Sequence, residues 1–197
     1  MIGPGLHPVP AGHLAMVVTW LEMTAPCAPR TAPPPEGAEV ALWTDPGCDA
    51  YRDLIRRIGT DWLWSSRLRL TDAALGEVIR NSDVEVWRLM RGEVPLGIAE
   101  LDFREGPDCE LAFFGVAPEA VGTTAARHLM TAVTARAWKR PIARLFLHTC
   151  TLDSPRALGF YRRSGFRDYA RAVEITPDPR LDGTLPRDAA PEVALIE

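Results

Sequence analysis

The stretch of this chain that most constrains its fold runs from Val84 to Pro118, where apolar and polar residues alternate with a period of two. Such alternation is typical of β-strands that bury one face. Turn residues interrupt the pattern at "RGEVP" and again at "REGPD". The stretch therefore predicts an antiparallel meander of three strands, and the fold must be organised around a β-sheet.

The segments that follow the meander predict a βαβ unit. Residues 122–139 have helical periodicity, and residues 143–151 form an apolar, strand-like run. A strand over 108–117 joined through this helix to a strand over 143–151 should pair with it in parallel, because such a crossover returns the chain in the same direction.

The rest of the chain supplies further elements. Added to the meander and the βαβ unit, they predict an α+β fold with a mixed, mostly antiparallel central sheet flanked by helices. These elements are strands over 13–23, 39–45 and 167–176, helices over 49–59 and 71–81, and a short helix between Ser154 and Gly165.

A chain of 197 residues most naturally forms one domain, here residues 1–197 with a core over about 13–175. The proline-rich segment 25–35 predicts a stiff loop, since proline fixes φ and removes a hydrogen-bond donor. The tail 177–197 is also rich in proline, and we expect it to be irregular and poorly packed.

Composition excludes several classes of protein. A net charge of −4 gives no broad basic surface, so we expect no nucleic-acid partner. No apolar run approaches the roughly 20 residues that span a bilayer, and the first residues do not resemble a signal peptide, so we expect a cytoplasmic protein without a membrane partner. The cysteines have no CxxC spacing, and we expect free thiols at Cys27, Cys48, Cys109 and Cys150.

Two local motifs carry the chemistry. The first is "ELAFFGVAPEAVGTTAARHLM" (110–130), in which Gly115 suggests a β-bulge and the turn before the helix offers N–H groups to an anion. The second is "TLDSPRALGFYRRSGF" (151–166), in which Ser154 and Pro155 suit a helix start and Gly165 suits a left-handed C-terminal cap.

The element order and these two motifs resemble the GNAT family of acetyl-CoA-dependent N-acetyltransferases. The first motif is similar to the strand-loop-helix that holds the cofactor pyrophosphate in that family. The second is similar to the family pattern Asn-x-x-Ala-x-x-x-Tyr-x-x-x-Gly-Phe, matched by Ala157, Tyr161, Gly165 and Phe166. The resemblance implies that the parallel strand pair splays apart.

The chain departs from the family at its phosphate loop, which usually reads Arg/Gln-x-x-Gly-x-Gly/Ala. Val121 replaces the charged residue and Thr124 replaces the first glycine, whereas Ala126 fits. The hydroxyls of Thr123 and Thr124 could donate to phosphate, or the Thr124 side chain could crowd it. Ser154 stands where the second motif has asparagine.

The resemblance implies roles for particular residues. Tyr161 would protonate the leaving thiolate or donate to the cofactor sulfur, and a backbone N–H near Val116 would stabilise the oxyanion. Glu110 and His148 are candidate bases for the acceptor amine. The expected cofactor contacts of acetyl-CoA are Phe114, Gly115, Val116, Val121, Gly122, Thr123, Thr124, Ala126, Arg127, Ser154 and Tyr161.

The acceptor is expected to be a primary amine on a small molecule or a peptide. Trp62 and Trp64 follow the first helix, where this family builds part of its acceptor site, and could form an aromatic wall with Asp61. Structural roles remain open for each of these side chains. No metal site is expected, and the exposed edge strands make a homodimer possible.

Two other functions remain open. The altered phosphate loop would also suit a GNAT-like module that has lost catalysis and binds an acyl-CoA, a small molecule or a protein. Cys150 near His148 also allows a cysteine-dependent hydrolase.

Overall fold

The computed structural model describes residues 3–28 and 30–197, which form one seven-stranded sheet with helices against both of its faces. The strands are β1 (His13–Met23), β2 (Ala38–Leu42), β3 (Val84–Arg91), β4 (Val94–Asp102), β5 (Asp108–Val116), β6 (Arg144–Cys150) and β7 (Arg167–Pro177). The helices are α1 (Cys48–Gly59), α2 (Asp72–Ile79), α3 (Ala125–Ala137) and α4 (Ala157–Arg163). Short 3-10 helices, which the periodicity did not predict, cover Thr60–Trp62 and Pro118–Ala120.

The strand order across the sheet is β2-β3-β4-β5-β6-β1-β7. All neighbouring pairs are antiparallel except β5 and β6, which are parallel. The predicted α+β fold with a mixed, mostly antiparallel sheet is therefore confirmed. The first strand lies between the last two, and the Gly12 N–H donates to the Ile196 carbonyl over 2.9 Å.

The parallel pair separates soon after it begins. Asp108–Glu110 pair with Arg144–Phe146, and beyond these residues β5 and β6 have no further paired positions. The two strands leave a V-shaped opening towards their carboxyl ends, so the splayed parallel pair is confirmed.

The bulge in β5 lies at Ala112, and the prediction of a bulge at Gly115 is wrong. Glu100 of β4 pairs with Phe113 while Leu101 pairs with Leu111, which leaves Ala112 as the extra residue. Glycine is needed at position 115 for close packing, because a Cβ there would lie 2.6 Å from Cγ2 of Ile58 on α1.

Each face of the sheet has its own core. Helices α3 and α4 bury one face with Leu129, Met130 and Val133 of α3. Helices α1 and α2 bury part of the opposite face, chiefly with apolar side chains at helical spacing: Tyr51, Leu54, Ile55, Ile58, Leu75 and Ile79.

The tail is irregular but well packed, so the expectation of poor packing is wrong. Leu185 is buried in a cluster with Leu14 and Met16 of β1. Arg180, 3% exposed, is bidentate to Asp178 and donates to backbone carbonyls later in the tail, at Ala189, Ala190, Val193 and Ala194. Proline prevents a regular element here, yet it does not prevent burial.

The short helix begins later than its sequence suggested. Helix α4 starts at Ala157 with Arg156 as its N-cap, so Ser154 and Pro155 lie in the preceding turn. The Ser154 carbonyl accepts from the Ala157 N–H, which closes that turn before the helix can start. Gly165 follows the helix with φ +103°, as a left-handed cap requires.

The proline-rich loop 25–35 contains no helix or strand in its described residues. It lies against α3, where the Thr131 hydroxyl donates to the Arg30 carbonyl over 3.3 Å. Pro29 falls outside the described residues.

Candidate active site

The splay exposes backbone groups of β5. The N–H of Ala117 donates to Leu96 of β4 over 2.8 Å, and strand alternation therefore turns the N–H and C=O groups of Phe114 and Val116 away from β4. Those groups face the V-shaped opening, where β6 offers no paired partner. A chain of amides could add to this edge as an extra strand does.

The start of α3 presents unpartnered donors. Among the described residues, no oxygen accepts from the backbone N–H of Gly122, Thr124, Ala126 or Arg127. Gly122 has φ +82° and an open space where a Cβ would stand. Several free N–H groups together with the positive end of a helix dipole form a suitable cradle for phosphate oxygens.

The two threonines of this loop differ. The Thr123 hydroxyl donates to the Ala120 carbonyl over 2.7 Å and accepts from the Ala125 N–H, so its hydrogen is already used. The Thr124 hydroxyl has no partner within residues 3–28 and 30–197 and can donate to a ligand. Val121 is exposed beside them and adds no charge.

Several arginines on this side of the sheet have no carboxylate partner among the described residues, and two of them, Arg127 and Arg30, line one cavity. The α3 residue Arg127 forms no ion pair with any described residue, and neither do the arginines of the neighbouring loop and of the α4 region: Arg30, Arg156 and Arg163. Ser154 lies in the turn between β6 and α4, where its hydroxyl meets the N–H of Arg156 at 3.4 Å.

Tyr161 lies next to the V-shaped opening, on the face of the sheet that α3 and α4 cover. Its ring makes edge contacts with Phe114 at 6.2 Å, Phe160 at 5.7 Å and Phe166 at 6.2 Å. Its hydroxyl has no hydrogen-bond partner in the part of the chain that the structure describes. Burial, and then the charge of Asp153, raises the pKa of Tyr161, so the phenol stays protonated at neutral pH.

The opposite face of the splay carries the two candidate bases side by side. Nδ1 of His148 on β6 lies 3.4 Å from Oε1 of Glu110 on β5, at the closed end of the V. The hydrogen bond to Glu110 raises the pKa of His148, while burial opposes the shift. The structure thus brings together two residues that lie 38 positions apart in sequence.

A cleft of about 390 Å³ opens beside this pair. Its walls are mostly charged, and they are formed by Arg67, Asp102, Arg104, Glu105, Glu110 and Phe146. Arg104 is bidentate to Asp102, whereas Glu105 forms no ion pair among the described residues. The cleft therefore offers carboxylate oxygens to a cationic ligand.

A buried ion pair supports one wall of the cleft. Glu100, with no exposed surface, accepts from Nη2 of Arg67 over 2.6 Å and from the Tyr51 hydroxyl over 2.5 Å. The Arg67 guanidinium also lies 5.2 Å from the ring centre of Phe113. These contacts fix the loop between α1 and α2 against β4 and β5.

The two tryptophans predicted for the acceptor site are not equivalent. The Trp64 ring packs edge-on against Phe113 at 5.4 Å, and its Nε1 donates to Asp153 over 3.1 Å. Trp62 is half-buried and has no aromatic ring contact among the described residues. The two indoles make no ring contact with each other, and the aromatic wall with Asp61 stays a prediction.

Asp153 is a site residue that sequence reasoning missed. Besides Trp64, it accepts from the Thr149 hydroxyl over 2.6 Å and from the Cys150 N–H over 2.9 Å. An aspartate before Ser-Pro looks like an ordinary turn residue, and nothing in the local sequence reveals its contact with a tryptophan 89 positions away.

Cys150 is poorly suited to act as a nucleophile. Burial, with the nearby Asp153 charge, raises the pKa of its thiol to about 11, so the thiol stays protonated at neutral pH. No hydrogen bond joins the Cys150 thiol to His148 among the described residues. The geometry does not favour a cysteine-dependent hydrolase.

Within the described ranges, no three His, Cys, Asp or Glu side chains are grouped so that they could hold a metal ion. In the same ranges, no helix is both long enough and apolar enough to cross a membrane. All four cysteines are free thiols, as predicted.

Residues 49–166 match the model of the acetyltransferase (GNAT) family, and this match covers more than half of the chain. The protein therefore belongs to the GNAT acetyltransferase family. A comparison with curated protein sequences gave no match.

Solved structures share the fold at low sequence identity. A GCN5-related N-acetyltransferase from Sphaerobacter thermophilus has a TM-score of 0.57 and 16% identity, covering 84% of this chain and 53% of its own. One from Kribbella flavida has a TM-score of 0.53 and 15% identity, covering 87% and 63%. An aminoglycoside acetyltransferase from an uncultured soil metagenomic sample, in complex with sisomicin, has a TM-score of 0.54 and 14% identity, covering 65% and 87%.

These similarities establish the GNAT fold for this chain. The chain spans less than two thirds of the length of the Sphaerobacter and Kribbella proteins.

Proposed function

We propose that this protein is an N-acetyltransferase that transfers an acetyl group from acetyl-CoA to a primary amine by direct attack. One observation carries the proposal. The open edge of β5 leads directly to the unpartnered N–H groups at the start of α3, where Arg127 forms no ion pair among the described residues.

The residues present fit coenzyme A in spite of the altered loop. The free N–H groups of Gly122, Thr124, Ala126 and Arg127 would hold the pyrophosphate, and Arg127 adds a charge. The Thr124 hydroxyl has no partner among the described residues and can add one further donor to the phosphate. The amide arm would pair with the edge groups of Phe114 and Val116.

When bound, acetyl-CoA supplies an acyl group activated as a thioester. On this chain, the N–H groups of Phe114 and Val116 face the splay, and one of them can stabilise an oxyanion while the other remains for the amide arm. The largely buried Tyr161 phenol holds its proton among aromatic rings. Its raised pKa favours donation of a hydrogen bond to the departing sulfur over complete loss of the proton.

On the acceptor face, Glu110 and His148 would accept the proton that the amine must lose. His148 must be neutral to act as this base, and Glu110 can stabilise the imidazolium that forms. The carboxylates of the adjacent cleft favour a cationic acceptor. We infer an amine acceptor from this charge together with the family.

The proposal is tested by calorimetric titration with CoA and acetyl-CoA, followed by an amine panel assayed for thiol release. We expect micromolar binding and transfer to at least one amine. Tyr161→Phe should keep the Kd for CoA while the transfer rate falls about a hundredfold, since general acid catalysis commonly contributes 10²–10⁴-fold. Failure of both ligands to bind at millimolar concentration would refute the proposal.

A further inference from the structure

Trp64 is enclosed by close contacts on several sides. A Cβ added to Gly59 would lie 2.6 Å from Cβ of Trp64, and one added to Gly115 would lie 2.9 Å from Cη2 of its ring. The indole is therefore held between two positions that only glycine fills. Its edge rests on Phe113, and its nitrogen donates to Asp153.

These contacts place the indole across the open end of the splay. Gly115 and Phe113 belong to β5, whereas Asp153 lies just beyond the end of β6. Asp153 is itself held by Thr149 and Cys150 at that end of β6. The ring thus bridges the two diverging strands on the face that carries Glu110 and His148.

The opposite face of the splay is closed by other aromatic rings. Phe114 stacks on Phe160 at 5.6 Å and meets the edge of Tyr161. A group that enters the V between these layers therefore has aromatic walls on both sides. The polar cleft beside Glu110 and His148 lies at the closed end of the V.

We propose that Trp64, fixed by Gly59, Gly115 and Asp153, limits the donor to short acyl groups. The inference rests on the proposed function, because it concerns the space next to the thioester of a bound acyl-CoA. The acyl group of a thioester that is attacked from the acceptor face borders that face, where the indole packs against Phe113. An acetyl group needs little of that space, and each further methylene needs more.

The test is calorimetric binding, which needs no knowledge of the acceptor. Wild-type protein is titrated with CoA, acetyl-CoA, butyryl-CoA and hexanoyl-CoA. We expect the Kd of hexanoyl-CoA to exceed that of acetyl-CoA by about tenfold or more, the scale on which tight pockets reject added methylenes. Trp64→Ala should reduce this ratio to about twofold.

Trp62→Ala is the matched control, since it removes a neighbouring indole that neither packs on Phe113 nor bonds to Asp153. This variant should keep the wild-type preference for acetyl-CoA over hexanoyl-CoA. Trp64→Leu provides a second, less severe substitution if the alanine variant fails to fold. For each variant, an unchanged Kd for free CoA shows that the cofactor site is intact.

The outcomes separate the two proposals. If wild-type protein binds CoA and acetyl-CoA but binds hexanoyl-CoA equally well, the inference on Trp64 is overturned and the proposed function stands. The inference also fails if both Trp64 variants retain the preference, or if Trp62→Ala relaxes it equally. If free CoA does not bind to the wild type, the proposed function fails, and the inference fails with it.

Discussion

The two faces of the splay differ in the sign of their unpaired charges and in how many of their charges are paired. On the α3/α4 face, Arg127 and Arg163 form no ion pair among the described residues, although Arg162 pairs with Asp168, and the start of α3 has four unpartnered N–H groups. On the acceptor face, most charges are paired within the protein, as in Arg67–Glu100 and Arg104–Asp102. Only a few carboxylate oxygens remain there for a ligand.

This difference follows from the ligands that the proposed function requires. Arginines near the protein surface can stay unpaired at little desolvation cost. The phosphates of a polyanionic cofactor would pair with them on binding. On the acceptor side, Glu100 and Asp102 are buried, and an unpaired charge there would be unstable without a partner. Each of the following substitutions tests one side of this contrast.

Removal of Arg67 should have the largest effect. Arg67→Met leaves Glu100 buried without its cation, and losing one partner of a buried pair costs about 3–5 kcal/mol of unfolding free energy. Urea denaturation measures the loss. The exposed pair Arg56–Asp53 is the control, and Arg56→Met should cost about 1 kcal/mol or less.

The double variant Arg67→Met with Glu100→Gln should recover part of that stability, because it removes the unpaired charge as well. Equal losses for Arg67→Met and Arg56→Met would show that the buried pair does not support the acceptor wall.

On the cofactor face, the effect of losing a charge should appear in binding and not in folding. Arg127→Gln is expected to weaken CoA binding about tenfold at low salt, since a charge-assisted hydrogen bond contributes about 1.5–3 kcal/mol. The difference should shrink as salt screens the interaction. Calorimetry with CoA measures both effects.

Arg171 of β7 is the matched control, since it also lacks an ion pair among the described residues but lies on the edge strand. Arg171→Gln should leave the Kd for CoA unchanged. Equal weakening by the two variants would mean that overall charge, and not the α3 start, attracts the cofactor.

The smallest expected effect concerns pH. Glu110 raises the pKa of His148, so Glu110→Gln should lower that pKa and move the acidic limb of transfer to lower pH. In the wild type, the stabilisation from this pair is complete below the unfolded pKa of histidine and is lost as pH rises through the folded pKa. NMR titration of the His148 ring measures the shift.

Glu105→Gln is the control, because Glu105 lines the same cleft without pairing with His148. It should leave the His148 titration nearly unchanged. If Glu110→Gln fails to lower the pKa of His148, the two residues do not act as a pair.

The parts of the candidate site that depend on short local patterns were predictable from the sequence. The spacing from Ala157 to Phe166 matched the family signature, and α3 follows β5 through a turn suited to anions. The bulge was misplaced because glycine in a strand signals either a bulge or a close approach. At Gly115 the close approach of Ile58 and Trp64 is the reason, and a sequence cannot show which neighbour will arrive.

The tail was misjudged for a similar reason. Proline correctly predicted irregular backbone, but burial depends on what lies opposite, and here Leu14 and Met16 of β1 cover Leu185. The homodimer and the assigned roles of the site residues stay predictions.

The sequence by itself determined the order of strands and helices, the parallel βαβ unit and the family motif around Tyr161, because these depend on short-range periodicity and turn chemistry. Tertiary structure alone decided that Glu110 meets His148, that Trp64 is held by Asp153, and that β1 enters the sheet between β6 and β7. These arrangements join residues far apart in the chain, and packing of the whole fold sets their distances.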